Sequence, residues 1–178
     1  MGGDILMNFL MISMRIIHIF AGVFWVGTSF FMISFVTPSV IATGAEGQKF
    51  MQQLAFRTRF TTAMMAVAVL SVLSGLVMYW EIFEFSLNAL STGYGLVLTL
   101  GAIAGFIGFL TGYFMQNRTT GKMKAVFASI ATGDGPPSPE HQAEMKALSE
   151  TVSKGGQITS VFLALALLGM SIAQYVVI

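Results

Sequence analysis

Arg15, His18, Gly22, Trp25 and Ser29 follow one another at intervals of 3, 4, 3 and 4, the spacing that gathers side chains on one stripe of an α-helix. The stretch that carries them, MRIIHIFAGVFWVGTSFF, is otherwise almost wholly apolar. An imidazole in such a place can ligate a haem iron or another metal. It can equally bond a serine or a carbonyl of a neighbouring helix. Arginine inside a membrane helix costs about 2.5 to 3.5 kcal/mol on an insertion scale, so Arg15 either marks a ligand or pathway or snorkels to the surface. For Trp25 the simplest account is packing.

Two further patterns bear on a cofactor. Met7, Met11 and Met14 lead up to His18 at intervals of 4, 3 and 4, a soft-ligand ladder suited to Cu(I), although methionine is also a common filler of apolar gaps. Gly101, Gly105, Gly108 and Gly112 repeat the 4, 3, 4 rhythm. A glycine stripe usually means close helix–helix contact, and its sharper meaning is room for a flat cofactor that His18 would face across the bundle. Ser71, Ser74, Gly75 and Gly169 can line the same interior, whereas His141 reads as a solvated residue. No nucleophile–base pair, phosphate-cradling glycine loop or pair of intramembrane carboxylates is found, so hydrolysis and phosphoryl transfer are not supported.

The elements that must position these residues are membrane spans. Of the 178 residues 55% are hydrophobic and 10% charged, and the mean hydropathy is +0.78, above the range of ordinary soluble domains. A net charge of +1 gives no reason to expect nucleic acid. The bilayer is the expected partner, together with other membrane subunits or a second copy of the chain. Apolar runs long enough to cross it, roughly 20 residues each, cover about 8–36, 60–82, 93–115 and 158–177, the first stopping at Thr37-Pro38. The expected fold is all-α, a single domain built as an antiparallel bundle of four transmembrane helices.

Basic residues concentrate in two connections, Lys49, Arg57 and Arg59 in one, Arg118, Lys122, Lys124, Lys146 and Lys154 in the other. The positive-inside rule therefore places loops 37–59 and 116–157 in the cytoplasm and both termini outside. Within 117–156, Met123, Val126, Phe127 and Ile130 have amphipathic spacing, GDGPPSP breaks the helix, and Ser138-Pro139 starts another that ends at Gly155-Gly156. Two short cytoplasmic helices between spans three and four are thus expected.

The pattern H-x6-W-x-G, here His18, Trp25 and Gly27, resembles the small bacterial membrane proteins related to the copper-resistance protein CopD and to HemJ, the haem-pathway protoporphyrinogen oxidase. SVLSGLVMYW, LTLGAIAGFIGFLTG, GDGPPSPEHQAEMKAL and LALALLGMSIAQY look like those of an uncharacterised four-span relative of that group. The resemblance implies a four-helix bundle in which the first-span histidine, here His18, is an axial haem b ligand. HemJ-like enzymes also use a third-span lysine, and none lies between Gly93 and Met115, which counts against the oxidase. Four readings follow: a haem b module serving electron transfer or a redox partner, an accessory subunit of a membrane complex, a copper-handling protein using Met7, Met11, Met14 and His18, and, last, an oxidase of HemJ type.

Overall fold

The computed structural model describes residues 2–131 and 138–176, and every regular element among them is helical. Hydroxyls within the apolar helices mostly return to their own backbone: Ser74 donates to the Leu70 carbonyl, Thr99 to Gly95 and Thr111 to Ile107. Polar groups are thereby satisfied within their own segment, as a helix in lipid requires.

Helix α1 (Gly2–Phe31) passes through a π turn (Met32–Val36) into α2 (Thr37–Thr43). Pro38 does not stop the span. The Thr37 N–H reaches back five residues to the Met32 carbonyl, so the ladder has already widened where proline's missing donor would break it. The chain then reverses at Gly44, whose φ of +58° lies in a region that favours glycine. The short helix α3 (Ala45–Gln52) follows, and Gly47 lies so close to Val40 and Thr43 that a Cβ would overlap them.

A π turn (Gln53–Arg57) leads to α4 (Phe60–Phe83), which ends on Glu84 in the left-handed conformation, its N–H on the Trp80 carbonyl at 2.7 Å. After a 3-10 turn (Leu87–Ser91), Thr92 caps α5 (Gly93–Thr111) by accepting from the Gly95 N–H at 3.1 Å. A π turn (Gly112–Asn117) carries α5 on into α6 (Arg118–Ala131). Ser138 starts α7 (Pro139–Ile172) as expected, accepting from the His141 N–H at 3.2 Å, with proline in the first turn.

The connections correct one expectation. The short helix lies between spans one and two, whereas spans three and four are joined by extensions of themselves: α6 prolongs α5, and α7 runs unbroken from Pro139 through the fourth span. A change from apolar to charged residues alters the medium around a helix, not its hydrogen bonding. Gly155 and Gly156 lie inside α7, and their missing side chains serve a close crossing. A Cβ on Gly155 would sit 2.6 Å from Cβ of Met115, and one on Gly156 would sit 3.5 Å from Ile33. The break expected at GDGPPSP falls largely on 132–137, outside the described residues.

The four long helices pack as an antiparallel bundle made of two pairs, α1 with α4 and α5 with α7. Trp25 joins the pairs. It is 7% exposed, packs with Ala68 of α4 and Leu163 of α7, and meets Phe109 of α5 edge to face with centroids 6.4 Å apart. At the other end of α4, the Tyr79 hydroxyl bonds Thr99 Oγ1 at 2.8 Å, and rings of Tyr79, Trp80, Phe83, Phe85 and Tyr94 cluster as in an interfacial belt.

Candidate functional site

The seam between α1 and α4 holds an imidazole packed between two spans. His18 Nδ1 lies 2.8 Å from the Ser71 carbonyl oxygen and 3.4 Å from Ser74 Oγ. A carbonyl can only accept, so the proton sits on Nδ1. The Ser74 hydroxyl already donates to carbonyls of its own helix, at 2.6 Å to Leu70 and 3.1 Å to Ser71, and it too can only receive from the ring. With Nδ1 committed, the neutral imidazole keeps its lone pair on Nε2, which has no hydrogen-bond partner among the described residues.

Small residues let the ring lie there. A Cβ on Gly75 would come within 2.9 Å of His18 Cε1, and one on Gly22 would meet Ser71 Oγ at 3.5 Å. Each helix supplies what the other lacks, an imidazole from α1 and a bare backbone from α4. The expected interior positions Ser71, Ser74 and Gly75 are therefore brought to His18.

The other candidates disperse. Trp25 is in the core, seven residues along the stripe from His18, and Gly27 has nothing near it. Arg15 is exposed and makes no ion pair among the described residues. Met11 and Met14 are half-buried on α1, and Met7 is exposed. Among the described residues no three of His, Cys, Asp and Glu cluster as a metal site.

The glycine stripe lies in the other seam, against α7. A Cβ on Gly101 would meet the Met170 nitrogen at 3.2 Å and the Ala166 carbonyl at 3.3 Å, Gly105 would meet Ala166 Cβ at 3.6 Å, and Gly108 would meet Leu163 at 3.4 Å. Gly112 approaches Thr159. Gly169, grouped by its sequence with the His18 interior, instead faces Gly101 across this contact, where its Cβ would lie 3.0 Å from the Gly101 Cα. The space opened by the missing side chains is filled by a helix backbone, and His18 is not across from it.

One polar group escaped the sequence pattern. Thr159, 1% exposed, shares its hydroxyl with Thr111 at 3.0 Å and receives the Gln116 amide at 3.1 Å, which ties the π turn after α5 to α7. The signal was QITS, polar residues just where an apolar run begins. Next to Thr159, the Ser160 hydroxyl is buried with no hydrogen-bond partner among the described residues.

No family model matches the chain, and no curated protein or solved structure is significantly similar to it. Four helices among the described residues are long and apolar enough to cross a bilayer. The chain is a multi-pass integral membrane protein. Only 11% of the first span's apolar window is buried within the chain, so most of that span faces away from the bundle.

Proposed function

We propose that the protein is a membrane-embedded cofactor module in which His18 offers Nε2 to the iron of a b-type haem. The observation that carries this reading is the Nδ1–H bond to the Ser71 carbonyl at 2.8 Å. Histidines that hold metals almost always donate their other ring proton to a carbonyl or carboxylate, which sets the tautomer and the ring plane. A haem so held would supply one-electron chemistry to a redox partner. The chain's own residues do the orienting: Ser71 and Ser74 hold the ring, and Gly75 gives it room. His18 is the only histidine within the four apolar runs, so any second protein ligand would be a methionine or a residue of another chain. The resemblance to CopD-like and HemJ-like proteins agrees with this role for His18 and supports no oxidase chemistry.

The charge of the connections supports an orientation with both termini outside and the basic ends of the spans in the cytoplasm. His18 then lies in the outer half of the bilayer. The exposed face of α1 suits a second copy or another membrane subunit.

Absorption spectra of protein purified from haem-replete cells test the reading. A Soret band that shifts on reduction and disappears in His18→Ala is expected. Absence of the band overturns it and leaves the accessory-subunit role, which the filling of the glycine stripe by α7 favours. Copper in place of iron by elemental analysis, lost in Met11→Leu and Met14→Leu, would point to the copper-handling alternative.

A further inference from the structure

We infer that the groove between the first turns of α4 and Asn117 seats one anionic glycerophospholipid. The groove is shallow and open, offers about 590 Å³ and changes character along its length. Thr61, Thr62 and Asn117 line one end, and Ala66, Val69 and Leu70 line the rest. The Thr61 hydroxyl is committed to the Ala55 carbonyl at 3.1 Å, whereas the Thr62 hydroxyl and the Asn117 amide have no hydrogen-bond partner among the described residues. Unpartnered polar groups at one end of an otherwise apolar groove suit an occupant with a polar head.

Charge selects that occupant. Arg57 and Arg59 immediately precede α4, and Arg118 follows Asn117. All three are exposed, and the ion pair found among the described residues, Lys49 with Glu46 at 2.7 Å, involves none of them. The chain next to the polar end therefore carries positive charge with no carboxylate partner among the described residues, which the net negative charge of an anionic headgroup compensates, whereas a zwitterionic headgroup cancels its own phosphodiester with an ammonium. Length selects the rest. From Thr61 to Leu70 the helix rises about 14 Å, roughly half of a hydrocarbon core of about 30 Å. One acyl chain of one leaflet fits that reach, and a free anion would leave the apolar part uncovered. The site makes no use of His18 and stands independently of the haem reading.

The experiment uses the full chain in detergent micelles, with bound lipid counted by native mass spectrometry. Phosphatidylglycerol and phosphatidylcholine of identical acyl chains are offered together. Phosphatidylglycerol should be retained preferentially, with each arginine neutralised in Arg59→Gln and Arg118→Gln cutting the preference about fivefold. Arg59→Lys and Arg118→Lys keep the charge and should keep most of the preference. Ala66→Trp fills the groove and should abolish retention of phosphatidylglycerol. Equal retention of both lipids by the unaltered chain, or an undiminished preference in a folded Arg59→Gln/Arg118→Gln chain, overturns the proposal. Complete displacement of phosphatidylglycerol by millimolar inorganic phosphate also overturns it, since the occupant would then be a free anion.

Discussion

The imidazole of His18 donates from Nδ1 to the backbone carbonyl of Ser71 at 2.8 Å, across the seam between the first and second spans. A side chain could replace its partner through mutation, but a carbonyl stays whatever residue carries it. The bond therefore depends on α4 remaining helical at Ser71 and on Gly75 staying bare beneath the ring. The orientation of the ring is held by backbone, the most rigid part of a membrane helix.

Replacing the ring alone should cost little. In His18→Phe the Ser71 carbonyl keeps its bond from the Ser74 hydroxyl at 3.1 Å, so no acceptor is stranded. Interhelical hydrogen bonds in membranes are worth about 0.6 kcal/mol on average and about 1.7 at most. Thermal or denaturant unfolding in detergent should show a loss of that order, while any haem band disappears completely.

Gly75→Val should cost more than removing the histidine. Its Cβ would lie 2.9 Å from His18 Cε1, and the ring must leave the Ser71 carbonyl or the helices must separate, at about 1 to 3 kcal/mol. The His18→Ala/Gly75→Val pair removes the clash and should be more stable than Gly75→Val alone. Strict additivity in that double-mutant cycle would show that the two residues do not touch.

Glycine-to-alanine changes should grade with the space each site leaves. Gly27 has nothing within 4 Å of an added Cβ, so Gly27→Ala should gain up to about 1 kcal/mol from helix propensity. At Gly105 the nearest atom is Ala166 Cβ at 3.6 Å, an ordinary contact, and the change should stay within about 0.5 kcal/mol. Gly155→Ala places a Cβ 2.6 Å from Cβ of Met115, an atom fixed to backbone, and should cost about 2 to 3 kcal/mol. Unfolding midpoints of the three variants would check the order, and a neutral Gly155→Ala would sink it.

The four helices are legible in the sequence because apolar runs of spanning length have one satisfactory structure in lipid. The shared face of His18, Gly22 and Trp25 is legible too, since periodicity fixes which residues look the same way. Periodicity does not say which helix a face meets. The glycine stripe of α5 and the imidazole of α1 each call for a neighbour, and only packing assigns α7 to one and α4 to the other. Gly155 and Gly156 misled for a related reason: a glycine pair serves a helix end or a close crossing equally well, and Met115 decides for the crossing. The helix Ala45–Gln52 left only a faint trace, the Glu46–Lys49 pair at i and i+3. Ser71 and Ser74 were legible as interior positions, but not that the Ser71 carbonyl takes the bond from His18, because a carbonyl has no letter of its own.

Two adjacent residues of α7 should respond with opposite signs. The Thr159 hydroxyl is the meeting point of Thr111 and Gln116, so Thr159→Val preserves shape but strands the half-buried Gln116 amide, for a loss of about 1 kcal/mol. Thr159→Ser keeps the hydroxyl and should recover most of it. Ser160, by contrast, buries a hydroxyl without a hydrogen-bond partner among the described residues, and removing an unsatisfied polar group returns its desolvation cost. Ser160→Ala should therefore stabilise, by up to about 1 kcal/mol. Unfolding in one detergent under identical conditions measures both, and a Ser160→Ala chain less stable than the unaltered protein would show that this hydroxyl has a partner in the membrane.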